Sequence, residues 1–219
     1  MTPNFLHRHR ETEQHEPVPP FRASAWGEPQ SWPVRRTDGE PLVFQIRLPL
    51  EIELVDIATL AGAARGAPDF VAEGAAELEQ VAGPAGVVLA GALRPSDVPE
   101  AERPVLATLT VAFSDKVKGP PSAEDFPIAN SEHTTKTHQE VVKLSDKATL
   151  IVHGSTLQLD GGTEPVVMMV WQYLLETRYG ALVMAFSTAD EQMMYPRPRK
   201  LYTRIVESMF IGEQAPPAS

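Results

Sequence analysis

The stretch VVMMVWQYLLETRYGALVMAFS, residues 166–187, is the most apolar part of the chain and decides the fold. Residues 166–175 and 181–187 have strand character, and the connection through Thr177 and Gly180 predicts a hairpin. In the first arm both sets of alternating positions are apolar, with Trp171 near the middle. A strand with two apolar faces is expected to be central in a sheet and covered on each side.

Other strand signals lie on either side of this hairpin. A period of two, typical of a half-buried strand, runs through PLVFQIRLP (41–49) and PVLATLTVAFS (104–114). GVVLAGALR (86–94) precedes the second of these stretches, and residues 147–159 predict one or two short strands broken at Gly154. The prolines and the glycine within residues 114–137 predict a long loop there.

Two segments have helical spacing. Residues 69–81 follow Pro68 and end before Gly83-Pro84, and RKLYTRIVESMFIG (199–212) repeats apolar residues every four positions up to Gly212. The predicted fold class is therefore α/β (α+β), a mainly antiparallel sheet sandwiched by helices.

Residues 1–36 differ from the rest of the chain because prolines interrupt any period. The sequence predicts a disordered Pro-rich tail over residues 1–36, a single domain over 37–212 and a short tail over 213–219.

Composition excludes several classes of site. The 219 residues include 19 Lys+Arg, 29 Asp+Glu and no Cys, with a net charge of −10. Without cysteine there is no disulfide, thiolate metal site or cysteine nucleophile.

The acidic balance disfavours nucleic acid and anionic membranes as partners. No apolar run is long enough to span a bilayer, and the amino terminus has no secretory pattern, so we expect a cytoplasmic protein.

No catalytic, cofactor-binding or metal-ligating residue is predicted, and no cofactor. The chain has neither a G-x-S-x-G elbow nor a phosphate-binding or dinucleotide glycine pattern. His133, His138 and His153 keep open an alternative, a pocket that binds a small molecule or catalyses a reaction on it.

Two groups of residues are candidates for binding a protein partner. Aromatic side chains in a Pro-rich segment can anchor a partner, and a basic cluster in an acidic chain can bind acidic groups. These candidates are Trp26, Trp32, Arg197, Arg199, Lys200 and Arg204. The alternatives are local packing for the tryptophans and a solvated helix face for the cations.

The carboxy-terminal half, with its apolar hairpin, the polar stretch STADEQ (187–192) and a helix ending IVESMF (205–210), resembles a known superfamily. It includes the photosystem extrinsic protein PsbP, the actinobacterial LpqN-type lipoproteins and the DcrB-like proteins. The resemblance implies a strand-strand-helix ending that closes an antiparallel sheet between helices. It also implies a role in binding or assisting other proteins, since some DcrB-like members are chaperones. The sequence departs from the lipoproteins in having no lipidation cysteine.

Together these observations favour a non-catalytic cytoplasmic protein that binds a protein partner, as an adaptor or chaperone. The pocket protein described above and a structural subunit of a larger assembly are the alternatives. The oligomeric state is left open.

Overall fold

The computed structural model describes residues 21–55, 86–96, 98–99, 102–122, 134–157, 166–190, 193 and 198–213. These ranges contain ten strands and one α-helix, mostly antiparallel sheet. The elements in chain order are β1 (Gln30–Arg35), β2 (Pro41–Ile46), β3 (Ile52–Val55), β4 (Val87–Leu93), β5 (Ala107–Ser114), β6 (Thr134–Ser145), β7 (Ala148–Leu157), β8 (Val166–Thr177), β9 (Gly180–Thr188), α1 (Arg199–Glu207) and β10 (Phe210–Gly212).

Seven strands form the larger sheet, in the order β3-β4-β5-β9-β8-β7-β6. All of its neighbouring strands are antiparallel. β8 and β9 form the predicted hairpin, in which Trp171 pairs with Phe186 and Thr177 with Gly180. The prediction of a central, doubly apolar strand is confirmed, since Trp171 is fully buried on one face of β8 and Leu174 is buried on the other.

The smaller sheet has the order β1-β2-β10 and is also antiparallel. Leu42, Phe44 and Ile46 alternate along β2 and are buried, as the period of two predicts. They belong to the same core cluster as Trp171 of β8 and Tyr202 of α1. The main core therefore joins one face of the larger sheet to the smaller sheet and to α1.

The sheet prediction is confirmed in its coarse form, while the helical layers are represented in the described ranges by α1 alone. The predicted helix at 69–81 lies outside the described residues. No helix in these ranges has both the length and the apolar composition needed to cross a membrane.

The predicted amino-terminal tail is wrong over residues 30–35, which form β1 and pair with β2. Pro33 is tolerated because β1 is the outer strand of its sheet, where an N–H need not join the ladder. Residues 1–20 and 214–219 lie outside the described residues.

Three further features differ from the prediction. β6 begins at Thr134, inside the predicted loop, because its backbone pairs with β7. β7 continues through Gly154 without the predicted break. The last helix ends at Glu207 instead of at Gly212, and residues 210–212 form β10 beside β2.

Candidate partner-binding site

Trp26 and Arg204, which the sequence analysis placed in two separate groups, are in contact. The guanidinium carbon of Arg204 lies 4.4 Å from the centroid of the Trp26 ring, a cation-π arrangement. Trp26 is positioned by an antiparallel bridge to Pro49, and Gly27 N donates to Leu48 O at 2.9 Å. Trp26 is half-buried, whereas Arg204 is exposed on the outer side of α1.

The outer side of α1 is basic from its first turn onward. Arg199 and Lys200 are exposed, and the first turn contains no acidic residue. The amino-terminal end of a helix already has a positive partial charge from its peptide dipoles. The two side chains therefore add to a positive potential at this end of α1.

Arg47 extends the basic surface beyond the helix. It follows β2, is exposed, and its Nε donates to Gly27 O at 2.8 Å. Arg47 also contacts the end of α1, because its backbone N donates a hydrogen bond to Ser208 Oγ at 3.1 Å. We call Trp26, Arg47, Arg199, Lys200 and Arg204 the α1 basic surface.

The cations of this surface have no carboxylate partner within 4 Å in the described part of the chain. The ion pairs found there are Arg36–Asp38, Arg94–Glu53, Arg103–Glu53, Lys143–Asp146 and Arg178–Glu213. Glu207 is three residues from Arg204 on the same helix, and none of these ion pairs joins the two residues. In a chain with a net charge of −10, four unpaired cations on one surface form a local excess of positive charge.

The inner side of α1 fixes the position of this surface. Tyr202 and Ile205 are buried against the larger sheet. Burial raises the pKa of Tyr202 far above its ordinary value, so its ring stays neutral in the core. Burial also raises the pKa of Tyr173, whose hydroxyl oxygen lies 3.5 Å from Thr203 Oγ1.

The other candidates of the sequence analysis lie elsewhere. Trp32 is on β1 opposite Phe44, with ring centroids 6.2 Å apart, and packs against the main core. The local-packing alternative therefore describes Trp32 better than a free docking anchor does. Arg197 lies outside the described residues.

The histidines are not assembled into a metal site in the described ranges. His133 lies outside them, and the backbone of His138 pairs with Gly154, while His153 pairs with Gln139. No group of three metal-ligating side chains occurs among the residues that the structure describes.

A surface cleft of about 480 Å³ lies between the β8–β9 turn and β10 and contains none of these histidines. It is lined by Arg178, Tyr179, Phe210, Ile211, Gly212 and Glu213.

Sequence reasoning missed Arg47. Its position on the polar side of the alternating stretch 41–49 predicted exposure, but nothing local indicated that the strand end meets α1.

Comparisons with known proteins find a distant structural likeness. No protein-family model and no curated protein match the chain. Among solved structures, LpqN of Mycobacterium tuberculosis, a protein involved in cell envelope biogenesis, is similar with a TM-score of 0.36 and 11% identity. The match covers 85% of this chain and 92% of LpqN.

Proposed function

We propose that this chain is a non-catalytic protein-binding protein that captures an acidic segment of its partner on the α1 basic surface. The observation that carries the proposal is the contact of Arg204 with Trp26, beside three further cations without a carboxylate partner in the described ranges. An adaptor or chaperone-like role in the cytoplasm, as expected from the sequence, is the specific form of this proposal.

The chemistry of the side chains favours a carboxylate-bearing ligand. An arginine can donate two parallel hydrogen bonds to one carboxylate, and such charge-assisted bonds are stronger than neutral ones. Arg204 is already ordered by the Trp26 ring, so less side-chain freedom is lost when it binds. Tryptophan and arginine are also the residues that most often dominate protein interfaces.

Net charge argues for a protein rather than a nucleic acid. Nucleic-acid binding depends on neutralising many phosphates, and the charge of −10 would repel a polyanion at longer range. A partner protein that carries one short acidic segment, and is less negative elsewhere, can bind the local positive charge without that long-range repulsion. Electrostatic attraction of this kind mainly speeds association and weakens with salt.

Charge reversal of the helix tests the proposal. Full-length protein is immobilised and exposed to native extract, and the captured proteins are quantified with increasing NaCl. We expect the wild-type chain to capture a stoichiometric acidic partner in a salt-dependent manner, and the triple variant R199E/K200E/R204E to lose it. Trp26→Ala should weaken the same capture, because Arg204 then loses the ring that orders it.

The matched control is K116E/K118E/K147E, which makes the same change in net charge at exposed lysines away from α1. This control should retain the partner. Equal loss in both triple variants would show a response to total charge only, and equal retention would show that α1 is not involved. Either result contradicts the proposal.

A further inference from the structure

The two edge strands of the larger sheet differ greatly in how well they are protected from pairing with a strand of another chain. β3, at one edge, has only four residues, and its Glu53 forms ion pairs with Arg94 at 3.2 Å and Arg103 at 3.6 Å. β6, at the other edge, has twelve residues, and in the described sheet it pairs with β7 alone. Short and charged edge strands resist pairing with another chain, whereas a long open edge is a template for it.

Apolar residues continue outward across the sheet to this open edge. Val141 lies opposite Ile151 of β7, which is buried, yet Val141 itself is 60% exposed. Leu144, later in the same strand, is 39% exposed. A further strand beside β6 would cover Val141 in the way that β6 and its neighbours cover Ile151.

Only the middle of β6 is regular enough to accept such a strand. Its register with β7 shifts between Lys136 and His138 and again between Lys143 and Ser145. These shifts are β-bulges, which twist a strand and interrupt its ladder. Residues 138–143 between them are in continuous register, and Val141 lies within that segment.

We propose that two copies of this chain associate through antiparallel pairing of their β6 strands, about a two-fold axis at Val141. The larger sheets of the two copies then form one continuous sheet. Val141 faces its own counterpart on the axis, Gln139 lies opposite Lys143, and Glu140 lies opposite Val142. A two-fold interface requires one patch that complements itself, and this segment does so.

Charge and apolar contact together select this register. An axis at Val142 would set Val141 opposite Lys143 instead of opposite its own counterpart. An axis at Glu140 or at Lys143 would set like charges directly opposite each other, which destabilises a strand pair. With the axis at Val141, neither charged residue faces its own counterpart.

Disulfide trapping tests the axis directly, because the chain contains no cysteine of its own. Opposed residues of an antiparallel pair have Cα atoms about 4.5–5.5 Å apart, within the range that a disulfide spans. We expect oxidised Val141→Cys to form a covalent dimer rapidly. The matched control is Val167→Cys, 51% exposed on the interior strand β8, which should cross-link slowly.

Sedimentation of the full-length chain gives the second measurement. The wild-type chain and Val167→Lys should sediment as dimers at high concentration, and Val141→Lys should sediment as a 24.0 kDa monomer. A wild-type monomer at every concentration would overturn the proposal, as would a dimer in which Val141→Cys cross-links no faster than Val167→Cys. If Val141→Lys does not fold, the wild-type sedimentation and the cysteine comparison still decide.

Discussion

The ring of Tyr202 lies parallel to the ring of Phe186, with centroids 3.8 Å apart and an angle of 11° between the planes. This contact joins α1 to β9, and Trp171 of β8 meets the same tyrosine edge-on at 5.4 Å. All three side chains are buried. The basic outer side of α1 is therefore held in place by an aromatic cluster on its inner side.

Truncation of Tyr202 should destabilise the protein severely. Tyr202→Ala removes a buried aromatic ring from the cluster and should lower the free energy of unfolding by about 3–5 kcal/mol. Urea denaturation with a global probe of folding measures this loss. A loss below about 1 kcal/mol would show that the ring packs loosely, contrary to its stacking on Phe186.

Removal of the Tyr202 hydroxyl alone, with the ring kept, should leave the stability nearly unchanged or raise it. Its oxygen is buried, and the described residues offer it no hydrogen-bond partner. Burying an unpaired polar group is costly, so Tyr202→Phe should change the free energy of unfolding by less than about 1 kcal/mol or stabilise the fold. Tyr173→Phe is the control, because its hydroxyl lies within reach of Thr203, and it should not stabilise.

Alkaline pH should unfold the protein through the same tyrosines. Burial raises the pKa of both Tyr202 and Tyr173 above the ordinary value of 10.0. Above about pH 10 the unfolded chain loses these protons while the folded chain keeps them, so stability falls as pH rises, by up to about 1.4 kcal/mol per pH unit for each group. Urea unfolding between neutral pH and pH 11 measures the slope, and Tyr202→Phe should reduce it. An unchanged slope in that variant would contradict the prediction.

The tight turn between β8 and β9 should not accept a side chain at Gly180. Its φ is +152°, and an added Cβ would lie 2.7 Å from Asp115 Cα and collide with the carbonyl oxygen of Ser114. Gly180→Ala should therefore cost on the order of 2 kcal/mol or more, because both the backbone and the packing are strained. Thermal unfolding measures the loss.

Gly119→Ala is the matched control for that experiment. Gly119 also has a positive φ, of +83°, but an added Cβ would meet nothing within 4 Å. It should lose only the backbone preference, about 1 kcal/mol. Equal losses at the two positions would show that the close approach of Ser114 does not matter.

The contact between Thr37 and Asp115 should be visible in a titration. Thr37 Oγ1 donates to Asp115 Oδ1 at 2.6 Å, and Thr37 N donates to Oδ2 at 2.5 Å. The side-chain bond, followed by the backbone bond, lowers the pKa of Asp115. Thr37→Val should move that pKa upward, while Thr37→Ser should not, as measured by carboxyl NMR. Because a lowered pKa stabilises the fold only where the carboxyl is ionised, the difference in stability between these variants should disappear as pH falls below that range.

Elements defined by local periodicity were predicted well from the residues alone. The hairpin of β8 and β9 and the alternation in β2 and β5 follow from side-chain spacing, which depends only on neighbours in the chain. The same is true of the start of α1 after the prolines near residue 198. In the candidate site, Trp26 and Arg204 were selected as candidate partner-binding residues from their residue types and sequence context alone.

Contacts between distant parts of the chain decided the rest. Residues 210–212 continue a helical pattern, yet they form β10 because β2 offers them a backbone partner. Between the helix and β10, Ser208 Oγ accepts a hydrogen bond from Arg47 N. β1 likewise depends on β2, and β6 depends on β7. Spacing along the chain determines which local conformation a segment prefers, but only the folded chain determines its hydrogen-bond partner. For the same reason the sequence selected Trp26 and Arg204 separately, and only the tertiary structure placed one over the other.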